Sequence, residues 1–158
     1  MKKRIIKLLG EVNQEMADYV FNEVLEIIDK NLNSNNPTFE DIVLIINSTK
    51  GDFDQAAAIH NILKLIPNKK IAVIIGNSCD ATNYIFLSCD ERYATNLSRL
   101  IFEDITQYSG YIMSVTSYPP LELITNIKRN SPKFLIKNDD IYYYKFAKPI
   151  NQLEEILK

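Results

Sequence analysis

The chain holds one histidine, His60, and two cysteines, Cys79 and Cys89, so imidazole and thiol chemistry have few places to start. His60 stands beside Ile59 and near Leu63 inside a helical pattern, the setting of a packed ring rather than of a base or a metal ligand. Cys79 precedes Asp80 at the start of an expected helix, where the dipole favours a thiolate nucleophile. No histidine is placed to pair with it, so a packed thiol is the reading taken. The two cysteines flank one apolar helix, a spacing that fits neither a metal cluster nor a disulfide framework. Reduced core thiols follow, and neither metal nor cofactor is expected. Tyr142, Tyr143, Tyr144 and Phe146 suit either an aromatic docking surface or the alternation of a half-buried strand, and the strand is the reading taken.

The elements that must position these residues can be read from apolar periodicity. Ile5 to Leu9 reads as an opening strand turned by Gly10, and Asn13 caps a helix whose Met16, Val20, Val24 and Ile27 recur at helical spacing to about Asp29. Asn31 to Pro37 is a loop. Ile42 to Ile46 and Ile71 to Ile75 are unbroken apolar runs rich in β-branched residues, which marks strands covered on both faces. Between them, Ser48 to Asp52 makes a tight turn and Phe53 to Ile66 a helix that Pro67 ends. Gly76 closes the next strand and turns the chain into a third helix. Successive strand–helix units imply right-handed crossovers and a mostly parallel sheet. Short strands are expected at Arg92–Ala94 and Leu100–Phe102, a helix at Leu121–Lys128, a strand at Ile141–Phe146 and a closing helix at Leu153–Leu157.

At 158 residues, the chain is expected to form one α/β domain over residues 1–158, large enough to bury a core without disulfides or metals. Its formal charge of -2 carries no electrostatic footprint for nucleic acid or an acidic membrane, so a partner is expected to be protein or small molecule. The basic opening Lys2-Lys3-Arg4 begins like an export signal, but Lys7 interrupts the apolar run and Glu11 follows it. A cytoplasmic location is expected.

Four segments carry a resemblance. Arg4-Ile5-Ile6 runs through Gly10-Glu11-Val12 into the first helix, Ile45-Ile46-Asn47-Ser48 leads to Gly51 and the second, and Ile74-Ile75-Gly76 leads to the third. Ala94-Thr95-Asn96-Leu97-Ser98-Arg99 follows in order. Together they resemble the ClpP pattern of the Clp protease proteolytic subunit, whose strand ends read INSPGG and GQAASMGA and whose Ser-Arg pair precedes a histidine. The resemblance covers the first two-thirds of the chain. It implies a ClpP/crotonase-type spiral of ββα units with a mostly parallel sheet.

It also implies where a catalytic triad would stand. The family serine lies four residues after the glycine, and counting from Gly76 reaches Asp80. Displacing the count would reach Ala81 or, two residues back, Ser78. The family histidine falls on Glu103, at the end of Arg99-Leu100-Ile101-Phe102-Glu103, while Asp139 or Asp140 would be a guess for the third member. A carboxylate cannot replace a histidine-activated serine in peptide hydrolysis. The family's Gly-Gly becomes Lys50-Gly51, so Gly51 is the oxyanion-hole candidate. A second reading stands beside it, that Gly51 is kept because the turn needs a glycine.

The expectation is therefore a catalytically inactive ClpP-like protein acting as a structural or regulatory binding module. The alternatives are a crotonase-type acid/base enzyme using Asp80 and Glu103 on a small acyl substrate, and a Clp-type serine peptidase. The family forms rings through a projecting helical handle, and the segment after Glu103 reads as a shortened handle. Self-association is expected, as a homo-oligomer or a mixed assembly with an active paralogue.

Overall fold

The computed structural model describes residues 3–35, 37, 39–102, 135–137, 141, 146–150 and 154–157. Strand β1 (Lys3–Leu9) leads to helix α1 (Gln14–Leu32), β2 (Asp41–Ser48), α2 (Phe53–Lys64), β3 (Lys70–Ser78) and α3 (Asp80–Leu87). The shorter β4 (Glu91–Ala94), β5 (Arg99–Ile101), β6 (Leu135–Lys137) and β7 (Lys148–Pro149) follow, with helix α4 (Glu154–Leu157) last. The strands form one seven-stranded sheet in the order β1-β2-β3-β4-β7, with β5 joined to β3 and β6 to β5. All pairings are parallel except β5 with β6.

The unbroken apolar runs have the expected cause. Side chains alternate faces along a strand, so Ile42, Leu44 and Ile46 join the cluster that includes α1 and α2, while Val43 and Ile45 join a second cluster with Ile71, Val73, Ile150 and Ile156. Helix α1 presents Val20, Val24 and Ile27 to the first cluster. Its start is where the sequence placed it, since the Asn13 Oδ1 accepts the Met16 N–H at 3.0 Å. Its end lies at Leu32, three residues past the expected Asp29.

Two expected boundaries are corrected. Gly76 does not close the third strand, which runs on to Ser78 because its later residues hydrogen-bond to β5 after β4 has ended, Asn77 facing Arg99 and Ser78 facing Leu100. The absent side chain at Gly76 instead admits Asn47, whose Oδ1 would lie 2.5 Å from a Cβ there. That same oxygen accepts the Asn77 N–H at 3.1 Å, bridging the point where the β2–β3 register shifts. Nor are Ile141 and Phe146 strand residues, since Ile141 is helical and the Phe146 N–H donates to its carbonyl at 2.9 Å. The expected helix at Leu121–Lys128, the handle region and Tyr142 to Tyr144 lie outside the described residues.

Candidate functional site

The strand order brings the β2–α2 and β3–α3 connections side by side at the carboxyl ends of adjacent parallel strands, the usual place for ligands in such sheets. Thr49, Lys50 and Gly51 from the first connection, Cys79, Asp80 and Ala81 from the second, and Ile101 of β5 line a pocket of about 180 Å³. Gly51 and Asp80, far apart in the chain, are thus placed at one pocket. Glu103 and the guessed Asp139 and Asp140 lie outside the described residues.

Gly51 owes its small size to a close approach rather than to a special turn conformation. Gly10 is the one described glycine with positive φ, at 91°. At Gly51 a Cβ would sit 2.8 Å from the Val12 nitrogen and 3.0 Å from its Cα. The Val12 N–H donates to the Lys50 carbonyl at 3.2 Å, and the Asp52 N–H donates to the Val12 carbonyl at 2.8 Å. These bonds flank Gly51 in a parallel bridge to Val12, and alternation along an extended segment turns Gly51's own N–H to the opposite side. The Ser48 hydroxyl holds the same turn by donating to the Lys50 carbonyl at 3.0 Å. Lys50 itself pairs with Glu11 at 2.7 Å across exposed surface, a contact worth little in water.

Asp80 opens α3, and the turn before it is tied down by hydroxyl groups. Thr82 Oγ1 accepts the Cys79 N–H at 3.0 Å and lies 3.0 Å from the Ser78 Oγ, with both serine and threonine side chains fully buried. Ser78 is therefore a closing residue of β3 within the core and not a wall of the pocket, so the displaced count that reached it finds no exposed hydroxyl. Cys79 is buried with its Sγ 3.6 Å from Ser48 Oγ and 3.7 Å from Thr82 Oγ1. Its sulfur packs between the two hydroxyls. Asn83, fully buried one turn along α3, donates from Nδ2 to the Ile101 carbonyl at 2.8 Å and so fixes β5 against the helix.

His60 is placed elsewhere. It is buried on α2 with its ring centroid 4.7 Å from that of Tyr84, and Nδ1 lies 3.2 Å from Asn61 Oδ1. Burial pushes its pKa below the ordinary histidine value, which favours a neutral ring. It does not line the pocket. Cys89, also buried, has its thiol pushed up to about 12 by burial. No cluster of three or more metal-ligating side chains occurs among the described residues.

Thr82, Asn83 and Asn47 were not singled out from the sequence, although each shapes the turns that make the pocket. The available signal was weak: Thr82 stands three residues after the residue that caps α3, at capping-box spacing, but the cap is a cysteine rather than serine or threonine. The role of Ser98 in the quoted Ser-Arg pair is now physical. Its buried hydroxyl donates to the Ile74 carbonyl at 2.7 Å and accepts the Thr95 N–H at 3.1 Å, tying the β4–β5 turn to β3.

A mixed α/β architecture with a mostly parallel sheet, helices over the sheet and a pocket at the strand ends defines the class to which this molecule belongs. A family model described as Clp protease matches residues 1–117, and the chain belongs to that family. Among solved structures it is similar to ClpP1 from Listeria monocytogenes, at 20% identity and a TM-score of 0.76 over 98% of this chain and 95% of that one. The N165D mutant of Listeria monocytogenes ClpP1 matches with a TM-score of 0.77 at 20% identity over the same shares. The ClpP protease catalytic domain from Plasmodium falciparum matches at 18% identity and a TM-score of 0.74, over 96% of this chain and 86% of that one. At such identities the likeness speaks for the ClpP-like fold, as the four sequence segments implied.

Proposed function

We propose that this Clp protease family chain is catalytically inactive and serves as a structural or regulatory subunit, alone or mixed with an active paralogue. The observation that carries the reading is the fate of the one imidazole. Peptide hydrolysis by a serine requires a base within hydrogen-bond reach of the hydroxyl, and His60, on α2, packs against Tyr84 of α3 and does not line the pocket. Asp80 stands in the first turn of α3 where the family resemblance puts the serine. Its carboxylate cannot be activated into an acyl-accepting hydroxyl.

The test is labelling of the purified chain with a serine-directed fluorophosphonate together with turnover of fluorogenic peptides. Neither signal is expected, and the Asp80→Ser variant is expected to stay silent as well, because restoring the hydroxyl does not supply a base. Labelling of the unmodified chain at a serine would overturn the proposal.

A second reading draws on the outward turn of the Gly51 N–H, which suits an oxyanion hole for a small acyl group with Asp80 as acid or base. A pocket of about 180 Å³ suits a small group. Turnover of a short acyl thioester that is lost in Asp80→Asn would support this reading, and absence of turnover would leave the inactive subunit.

A further inference from the structure

Strand β1 forms one edge of the sheet, and among the described residues no strand lies beyond it. Its pairing with β2 fixes which of its backbone groups face out. The Gly10 N–H donates to the Asn47 carbonyl at 2.9 Å in a register that sets Leu9 opposite Asn47, so alternate residues back to Arg4 turn their N–H and C=O to β2. Ile5, Lys7 and Leu9 therefore turn theirs outward. Their side chains share the sheet face opposite α1, since Ile6 and Leu8 join the cluster that α1 covers. Ile5 is 39% and Leu9 47% exposed. Few devices blunt this edge: β1 has no proline, and its register with β2 runs unbroken over seven residues. Two of its cations are engaged, Lys3 by the Ile156 carbonyl and Arg4 by Glu23 and Glu26. Lys7 has no hydrogen bond or ion pair among the described residues. A cavity of about 310 Å³ lies along the same edge, lined by Lys7, Leu9 and Glu11 and by Glu15, Met16 and Tyr19 of α1.

We infer that the outer edge of β1 is a docking site for an extended peptide of a partner protein, which joins the sheet as a further strand. Backbone pairing with Ile5, Lys7 and Leu9 holds the peptide, and alternation dictates the side chains it carries. The residue facing Lys7 is acidic, and the residues two positions to either side are apolar and cover Ile5 and Leu9. The intervening side chains point to the α1 side, where the cavity has room for them. This apolar-x-acidic-x-apolar pattern reads the same in either strand direction. A second copy of β1 does not match it. Antiparallel pairing about Ile6 sets Lys7 against Ile5, and pairing about Lys7 sets like charges opposite one another. No residue lines both this cavity and the pocket around Gly51, so the docking edge stands whether or not that pocket does chemistry.

The test is amide hydrogen exchange, followed by NMR, on the full chain alone and with the capped peptide Ser-Val-Thr-Glu-Thr-Val-Ser. In the chain alone, the N–H groups of Ile5, Lys7 and Leu9 are expected to exchange quickly and those of Ile6, Leu8 and Gly10 slowly. Saturating peptide is expected to slow the first three by roughly tenfold or more. The same peptide with its core backbone nitrogens methylated keeps its side chains but loses its donors, and it is expected not to bind. Replacing its glutamate by lysine is expected to weaken binding roughly threefold, and Lys7→Glu to reverse that preference. Should Lys7→Glu fail to fold, the methylated peptide still decides. Exchange of the three amides unchanged by peptide, equal binding of the methylated form, or an unchanged charge preference in folded Lys7→Glu would each overturn the inference. So would slowing in the chain alone that grows with its concentration, since a second copy would then hold the edge.

Discussion

Gly51 and Cys89 show how single atoms set the terms for this molecule. A methyl group at Gly51 meets backbone atoms of Val12, which cannot rotate away as a side chain would. Gly51→Ala is therefore expected to lower stability by about 1–3 kcal/mol, the usual cost of overpacking, as measured by urea denaturation. Loss below about 0.5 kcal/mol would show that the β1–α1 connection moves aside easily. Cys89 makes a prediction about pH. Burial raises its thiol from 9.0 to about 12, so the folded state keeps a proton that the unfolded chain releases from about pH 9. Stability from this group is full below pH 9 and falls as pH rises towards 12, because the unfolded state then binds fewer protons. Denaturation midpoints of the wild type should drop more steeply across that window than those of Cys89→Ala, and parallel curves would refute the assignment.

At the scale of elements, the two longer helices start on side chains that replace a missing hydrogen bond. Asn13 caps α1 through the Met16 N–H, and Asp52 caps α2 through the Gln55 N–H at 3.0 Å. Replacing either by alanine is expected to cost about 1 kcal/mol in thermal or denaturant unfolding. Replacement by glycine, which is a tolerable cap, should cost a few tenths. An equal loss in both series would mean the side chain acts through something other than the cap. The β3–α3 turn differs, since its cap position is Cys79 and its tie comes from Thr82 reaching back to the Cys79 N–H. The hydroxyl network beneath Asp80 thus substitutes for the cap that the sequence lacks.

For the whole molecule, the open question is association. The outer edge of β1 carries partly exposed Ile5 and Leu9 beside Lys7, and among the described residues no helix is long and apolar enough to cross a membrane. The proposed structural role predicts a species larger than a monomer in sedimentation velocity, or a mixed species when the chain is combined with an active paralogue. A single monomeric boundary under both conditions would remove the structural-subunit reading while leaving the absence of peptidase activity to its own test.

Strand and helix identities through Ile101 were legible in the sequence, because unbroken β-branched runs and helical stripes report which faces are buried whatever the partner. The family was legible too, from short motifs at strand ends. What the sequence could not specify was why the motif residues are there. Gly76 looked like the end of a strand and is instead the space that Asn47 needs, while Gly51, read as an oxyanion-hole candidate or as a turn residue, is a point of contact with Val12. Both facts depend on a segment distant in the chain, and local propensity carries no record of such neighbours. The absence of His60 from the pocket lining and the burial of Ser78 were decided in the same way. A residue's type states which chemistry it can do, but its packing against distant elements decides whether it can reach a reacting atom.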